Sequence, residues 1–352
     1  MSLYYQDTLT EEERWQEAED ERLEYEGYCN KIRKGLEELD EKSGERAIWE
    51  LVQNARDQKR DDKVGVSIKI ELTPSALIFS HHGKPFDYTS FRALVKQDSS
   101  KDRTGAKQVG QYGTGFMTTH QFNRLVYVSA PYVVKKGKDI ISGYYQIKDF
   151  ELDRTKVDKK EGPAMMKEQL IKVKEFCKQP LSDVIEDDTT SFRYDLSTTQ
   201  VAEVSAQLTS ALRLLPFVMV INSSITNIEV IDQNSDKHNT YAKRLDLEPK
   251  DIEVKGWKEH SDVVVMNEGT PSSKTYPCKC LRSEKGDVII IPPFPQACGN
   301  VNEIPSLFLW FPLLGTEAFG VNFIFHSERF HPVEKRNNIM LPGKTEDGRA
   351  HV

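Results

Sequence analysis

Cysteine is scarce and poorly placed for cross-linking in this chain: five in 352 residues, at Cys29, Cys177, Cys278, Cys280 and Cys298, an odd number without a CxxC spacing. That argues against a disulfide framework and against a zinc site of paired thiolates. Reduced, buried thiols are the expectation, with Cys278 and Cys280 on one face of a predicted strand. No run approaches the roughly twenty apolar residues that a membrane helix needs, and there is no secretory-leader pattern, so the sequence predicts a cytoplasmic protein. Positive charge is not in surplus either. Lys and Arg total 48 against 55 Asp and Glu, a net charge of −7, which argues against a general nucleic-acid coat. A P-loop is missing: Gly343-Lys344-Thr345 looks like the end of one, but Asn338 stands where its first glycine belongs. Internal repeats and low-complexity linkers are absent too. What remains is ordinary in bulk, with 38% hydrophobic residues and length enough for two domains.

The most informative stretch that is present is Glu50-Leu51-Val52-Gln53-Asn54-Ala55-Arg56-Asp57. Ala47, Ile48, Leu51, Val52 and Ala55 recur at the offsets of a buried helical stripe, and nothing from Glu45 to Lys59 is a glycine or proline, so a helix is predicted there. Glu50, Asn54 and Asp57 then fall at i, i+4 and i+7 on a second stripe. A carboxylate, an amide and a carboxylate so placed can hold magnesium and activate water, although an ordinary surface helix shows the same spacing. A second motif follows in Val109-Gly110-Gln111-Tyr112-Gly113-Thr114-Gly115-Phe116. Three glycines in so short a run are costly inside a helix or strand, and suit backbone amides that must approach a phosphate closely. Their GxxGxG order is not the GxGxxG of a dinucleotide fingerprint.

Together the two motifs resemble the GHKL ATPases, the superfamily of type II topoisomerases, heat-shock chaperones, histidine kinases and MutL, joined by MORC and sacsin-type proteins. Glu50 to Asp57 is similar to the family's E-x-x-x-N-x-x-D box, and Gly110 to Phe116 to its second glycine box. Thr189-Thr190-Ser191-Phe192-Arg193-Tyr194 resembles the late strand whose threonine faces the nucleotide. The likeness runs from about residue 20 to about residue 200. It implies an α+β chain: a Bergerat-type ATP-binding sandwich, a mixed sheet backed by helices, followed by a second, transducer-like α/β domain. It also implies ATP and Mg²⁺ as cofactors. One box departs from the pattern, because His81-His82-Gly83-Lys84-Pro85-Phe86 stands where D-x-G-x-G is usual. A neutral imidazole at His81 can accept the hydrogen bond that the missing aspartate would take from adenine. Equally, the histidines can simply end a strand. The H-x-G-K-P-F wording is closest to a sacsin-like bacterial subgroup.

The resemblance assigns roles residue by residue. Asn54 is the magnesium ligand, since Mg²⁺ accepts one protein oxygen beside phosphate and water. Glu50 is the catalytic base that orients and deprotonates a water. Asp57 supports the adenine end with His81 and Gly83. Gly110, Gly113, Gly115, Phe116 and Thr190 belong to the nucleotide site, and Lys101 contacts phosphate from a polar lid near 97–112. Lys335 or Arg336 is a candidate γ-phosphate sensor, against the alternative of a basic surface turn. The predicted activity is Mg-dependent ATP binding with slow hydrolysis that drives a conformational or dimerisation switch on a protein client, as the N-terminal part of a larger protein. A non-hydrolysing ATP-sensing or chaperone-like module is the alternative. A histidine-kinase phosphotransferase ranks last, because no phosphoacceptor pattern precedes the first box.

The domain division predicted is a charged helical segment over 1–44, an ATP-binding domain over 45–197, a transducer-like domain over 198–341 and a linker-like tail over 342–352. Within the second lies a charged insertion near 153–188, helical from Ala164 to Lys178. Strands are expected at Val64 to Leu72, Ala76 to Ser80, Leu125 to Ala130, Ile140 to Ile147 and around Thr190. Beyond it come a helix from Thr198 to Leu215, ended by Pro216, and strands at Val218 to Ile221, Ile225 to Ile231, Asp262 to Met266, Thr275 to Arg282, Asp287 to Ile291 and Ser306 to Pro312.

Overall fold

The computed structural model describes residues 10–39, 43–98, 115–137, 140–245, 250–268, 273–291 and 304–331. The chain is α+β. In order, its elements are α1 (Glu11–Glu37), α2 (Ser43–Asp57), β1 (Val66–Leu72), β2 (Ala76–His81), α3 (Tyr88–Lys96), β3 (Leu125–Lys136), β4 (Ile140–Asp153), α4 (Gly162–Glu175), β5 (Thr190–Asp195), α5 (Thr198–Leu212), α6 (Leu215–Ile221), β6 (Ile225–Asp232), β7 (Lys237–Leu245), β8 (Lys250–Asp251), β9 (Trp257–Glu268), β10 (Ser273–Ser283), β11 (Val288–Ile291), β12 (Leu307–Leu309), β13 (Phe311–Pro312) and β14 (Ile324–His326). Two compact units form, Met1–Ser43 with Pro85–Asp195, and Gly44–Lys84 with Leu196–Val352. Each unit draws on two stretches of chain, where the division read from the sequence at 197/198 is contiguous.

In the first unit, α1 starts at Thr10, which shares a reciprocal capping box with Glu13 and is followed by three glutamates in the first turn. It is one helix, and only Tyr25, Cys29 and Ile32 are buried along it. β3 lies between β4 and β5, antiparallel to both. The insertion after β4 is α4 followed by a 3-10 turn, Phe176–Lys178, so the predicted helical centre is present. Phe91 of α3 meets Phe86, Phe150 and Phe176 edge-on, with centroids 5.0–5.3 Å apart. This is the geometry that aromatic quadrupoles prefer. Arg154 is fully buried, and its guanidinium donates to the carbonyls of Leu94 and Val95 at 3.2 and 2.6 Å, closing the C-terminal end of α3.

In the second unit, strand order is β13-β12-β14-β11-β10-β9-β7-β6-β1-β2, with β8 beside β9. β1 runs antiparallel to β2 and parallel to β6, so the sheet is mixed. The sequence of β1 dictates its two faces: Val66, Ile68, Ile70 and Leu72 are buried, while Ser67, Lys69 and Glu71 alternate with them at the half-buried surface. α5 packs on β1 and β2, and α6 on β7, β9 and β10.

Two expectations are corrected. Val218 to Ile221 is not a strand but the end of α6, for which Pro216 serves as an opening residue instead of a stop. Proline suits the first helical turn, and the all-apolar run Leu215–Ile221 is buried throughout, so it carries no period from which to read its type. Ser306 to Pro312 is not one strand: Trp310 at φ 65° turns the chain between β12 and β13, which pair with each other. β3 and β4 extend beyond their predicted ends, and β7 falls where no strand was read. Among the described residues no single helix is long and apolar enough to cross a membrane.

Candidate functional site

α2 has the amphipathic build its sequence dictates. Ala47, Ile48, Leu51, Val52 and Ala55 are each at most 2% exposed. On the neighbouring stripe Glu50 is also buried, and its Oε1 accepts a long hydrogen bond from Arg46 Nε at 3.4 Å, one turn earlier. Asn54 is half-buried, and the Asp57 carboxylate lies 3.3 Å from the Arg56 guanidinium. The three residues named from the sequence thus sit on one helix face, with two of the three carrying a cationic neighbour.

The turn after β2 is strapped to the end of this helix. Gln58 C=O accepts the Lys84 N–H at 2.7 Å, and the His82 N–H donates to Ser67 C=O at 3.2 Å. His81 is buried at the end of β2 with its ring 6.2 Å from that of Phe79. Burial, aided by the charge of His82, pushes its pKa down to about 3, so the imidazole is neutral at physiological pH. Gly83 explains itself by contact: a Cβ there would stand 2.7 Å from His81 Nδ1, 2.8 Å from Cε1 and 2.9 Å from Gln58 Cβ. Only glycine lets the turn close on the imidazole and on α2 at once.

A second cluster supports the helix from its other side and left no sequence signal. Arg56 lies over the Trp310 ring, 3.9 Å from its centroid, and the same ring is 4.7 Å from that of His326. Burial lowers the Arg56 pKa and that of His326, the latter to about 4. Arg46 could have been found from its i−4 spacing to Glu50. The Gln58 carbonyl could not, being a backbone atom bonded across a loop.

In the first unit, Gly115 opens a 3-10 helix, Gly115–Gln121. Phe116 is buried, its ring 5.3 Å from Phe192 and 5.8 Å from His120. Thr190 begins β5, fully buried, and its Oγ1 has no hydrogen-bond partner among the described residues. A buried hydroxyl without a partner is uncommon in a settled core. Lys101, Gly110, Gly113, Lys335 and Arg336 lie outside the described residues. Among those described, no group of three or more His, Cys, Asp or Glu side chains could hold a metal ion. A magnesium site here would therefore rest on an amide oxygen such as that of Asn54, completed by ligand oxygens.

Set beside known proteins, the chain matches no family model, and no curated protein matches it.

Proposed function

We propose that this chain binds Mg-ATP in a Bergerat-type site and hydrolyses it slowly, using the energy for a conformational or dimerisation switch that acts on a protein client in the cytoplasm. The observation that supports the reading is the closing of the His81–Lys84 turn on Gln58, the residue that follows α2 and its Glu50, Asn54 and Asp57 stripe, with Gly83 held free of any Cβ. That arrangement sets a neutral imidazole near the C-terminal end of the helix whose polar stripe carries Glu50, Asn54 and Asp57. A neutral imidazole can accept the hydrogen bond that adenine offers, and an amide oxygen suits a hydrated Mg²⁺. Taken by itself in the first unit, the Thr190 hydroxyl, buried without a hydrogen-bond partner among the described residues, is also consistent with a ligand. In this reading Asn54 supplies the protein oxygen for magnesium, His81 and Asp57 orient the base, and Glu50 accepts a proton from water. When bound, magnesium would neutralise charge on the phosphates. The roles of Lys101, Gly110, Gly113, Gly115 and Phe116 at the phosphates are proposals on the same footing.

One observation favours the alternative, a sensor that binds without turnover. Glu50 is buried and engaged by Arg46, so its carboxylate has to leave that guanidinium before it can serve a water. Thermal unfolding and phosphate release with Mg-ATP separate the two readings. Saturation at about 100 times the dissociation constant stabilises a fold by roughly 2.7 kcal/mol. Binding with turnover that Glu50→Gln abolishes supports the ATPase, and Asn54→Ala should weaken the Mg-dependent part of binding. A shift without phosphate release supports the sensor. If ATP leaves the unfolding temperature of the parent chain unchanged, both fail.

A further inference from the structure

The turn between β12 and β13, in the second unit, is held by side chains. Trp310 stands there at φ 65°, a conformation that is costly for any residue with a Cβ and persists only where the surroundings impose it. Two side chains do so. Asn222, at the end of α6, donates its amide to the Trp310 C=O at 2.7 Å, and the Trp310 N–H donates to Nδ1 of His326, on β14, at 3.2 Å. Next in the chain, Phe311 lies against Trp49 of α2, with ring centroids 6.3 Å apart.

No single state of His326 satisfies both of its backbone neighbours. Its Nδ1 is also 3.2 Å from the Phe308 C=O. A bare Nδ1 serves the Trp310 N–H and faces the Phe308 oxygen, whereas a protonated Nδ1 serves Phe308 and faces an N–H. Phe308 has a second donor in the Ser327 N–H, at 3.4 Å, and Nε2 is buried without a partner among the described residues. Each arrangement of the proton therefore leaves a polar group unserved, and only the bare Nδ1 holds Trp310.

The ring so held reaches α2. The Arg56 guanidinium lies 3.9 Å from its centroid and is also 3.3 Å from the Asp57 carboxylate. One planar cation is thus shared between the polar stripe of α2 and a strained turn. A ligand that engages Asp57 alters the hold on that cation, and by reciprocity a change in the turn is felt at Asp57.

We propose that the β12–β13 turn is a latch that regulates the Asp57 end of the site: Asp57 holds Arg56, Arg56 and Trp310 hold each other, and engagement of Asp57 by a ligand loosens the turn. That this ligand is a nucleotide rests on the function proposed above; the latch itself is tested without it.

The full chain labelled with ¹⁵N at tryptophan gives four backbone amide signals, from Trp15, Trp49, Trp257 and Trp310, the last identified by its loss in Trp310→Phe. Solvent exchange of the Trp310 amide is followed, with Trp257 as the internal control. His326→Leu removes the acceptor and should speed that exchange about tenfold or more, while His326→Asn, whose side-chain oxygen can stand in for Nδ1, should restore most of the protection. Asp57→Asn should speed it at least about threefold, and should add nothing in a chain that already carries Arg56→Met. Should Asp57→Asn not fold, judged by circular dichroism, Asp57→Glu carries the same test. Saturating Mg-ATP should shift the Trp310 signal. Unchanged exchange at Trp310 in the His326→Leu or the Asp57 variant overturns the latch, as does an Asp57 effect that persists undiminished beside Arg56→Met. If Mg-ATP raises the unfolding temperature yet leaves the Trp310 signal in place, the latch is overturned and the nucleotide reading stands. If Mg-ATP does not bind, the nucleotide reading fails and the variants alone decide the latch.

Discussion

Gly83→Ala should destabilise the second unit, although glycine-to-alanine changes elsewhere often do the opposite. The backbone at Gly83 is not in the left-handed region, so alanine would ordinarily gain about 0.4–1 kcal/mol by restricting the unfolded chain. Against that stand three contacts under 3.0 Å, to His81 Nδ1, His81 Cε1 and Gln58 Cβ. Neither neighbour has room to yield. The imidazole is buried beside Phe79, and Gln58 Cβ is fixed to the backbone whose carbonyl holds Lys84. Overpacking of this kind costs about 1–3 kcal/mol, leaving a net loss of roughly 1–2 kcal/mol. Relief comes from the turn lifting off α2, so the 2.7 Å bond from the Lys84 N–H to Gln58 C=O should lengthen. Native-state hydrogen exchange at the Lys84 amide should then accelerate about five- to thirtyfold. Gly27→Ala in α1 is the control, because a Cβ there meets nothing within 4 Å, and it should stabilise by about 0.5–1 kcal/mol. A Gly83→Ala chain as stable as the parent, with unchanged exchange at Lys84, would refute the contact argument and remove the main support for the site.

Acid should weaken the fold well before the carboxylates protonate. Burial lowers the pKa of His81 and His120 to about 3 and that of His326 to about 4, from 6.5. Their contribution is complete above about pH 6.5 and is lost as pH falls from there toward 4, because the unfolded state takes protons that the folded state refuses. The loss is of order 1 kcal/mol per histidine per pH unit, visible as a falling unfolding temperature. A flat profile from pH 7 to 5 would contradict it. Trp310→Ala should cost about 2–3 kcal/mol in chemical denaturation, through lost packing and the lost cation–π contact with Arg56. Trp310→Gly should cost about 1 kcal/mol less than alanine, since φ is 65°; alanine proving the better tolerated would refute the strain at that turn. Arg154→Met fits the space but leaves the Leu94 and Val95 carbonyls without their donor, and should cost about 3 kcal/mol. A loss under about 1 kcal/mol would mean that water replaces the guanidinium there.

What could be read ahead of the structure divides along a physical line. α2 and β1 were legible because one face of each is apolar and the other polar, at the periods of 3.6 and 2. α6 was not, because a run apolar on every side has no period, and β7 was not, because Lys237-His238-Asn239-Thr240 has almost nothing apolar to alternate. What holds β7 is its backbone ladder to β6 and β9, which side-chain patterning does not report. The site shows the same split. Glu50, Asn54 and Asp57 were visible as a stripe, whereas the bond from Lys84 to Gln58 and the stacking of Arg56 on Trp310 join residues far apart in sequence and leave no local trace. The role of Gly83 also needed coordinates, since its cause is the imidazole it must not touch.

The parallel pairing of β1 with β6 sets a timetable for the molecule. Thr226 bonds Val66 and Asn227 bonds Ser67, each across 160 positions of sequence. A ribosome adding about 5–20 residues per second needs roughly 8–30 seconds to pass from the first of these strands to the second. Throughout that interval the hairpin of β1 and β2 lacks its parallel neighbour. The intervening residues 85–195, with β3, β4 and β5, emerge before β6 and are free to fold meanwhile. β1 is thus made early and completed late, its parallel edge paired only when β6 has been made. Synthesis halted before residue 225 would leave β1 translated yet without the strand that pairs with its parallel edge.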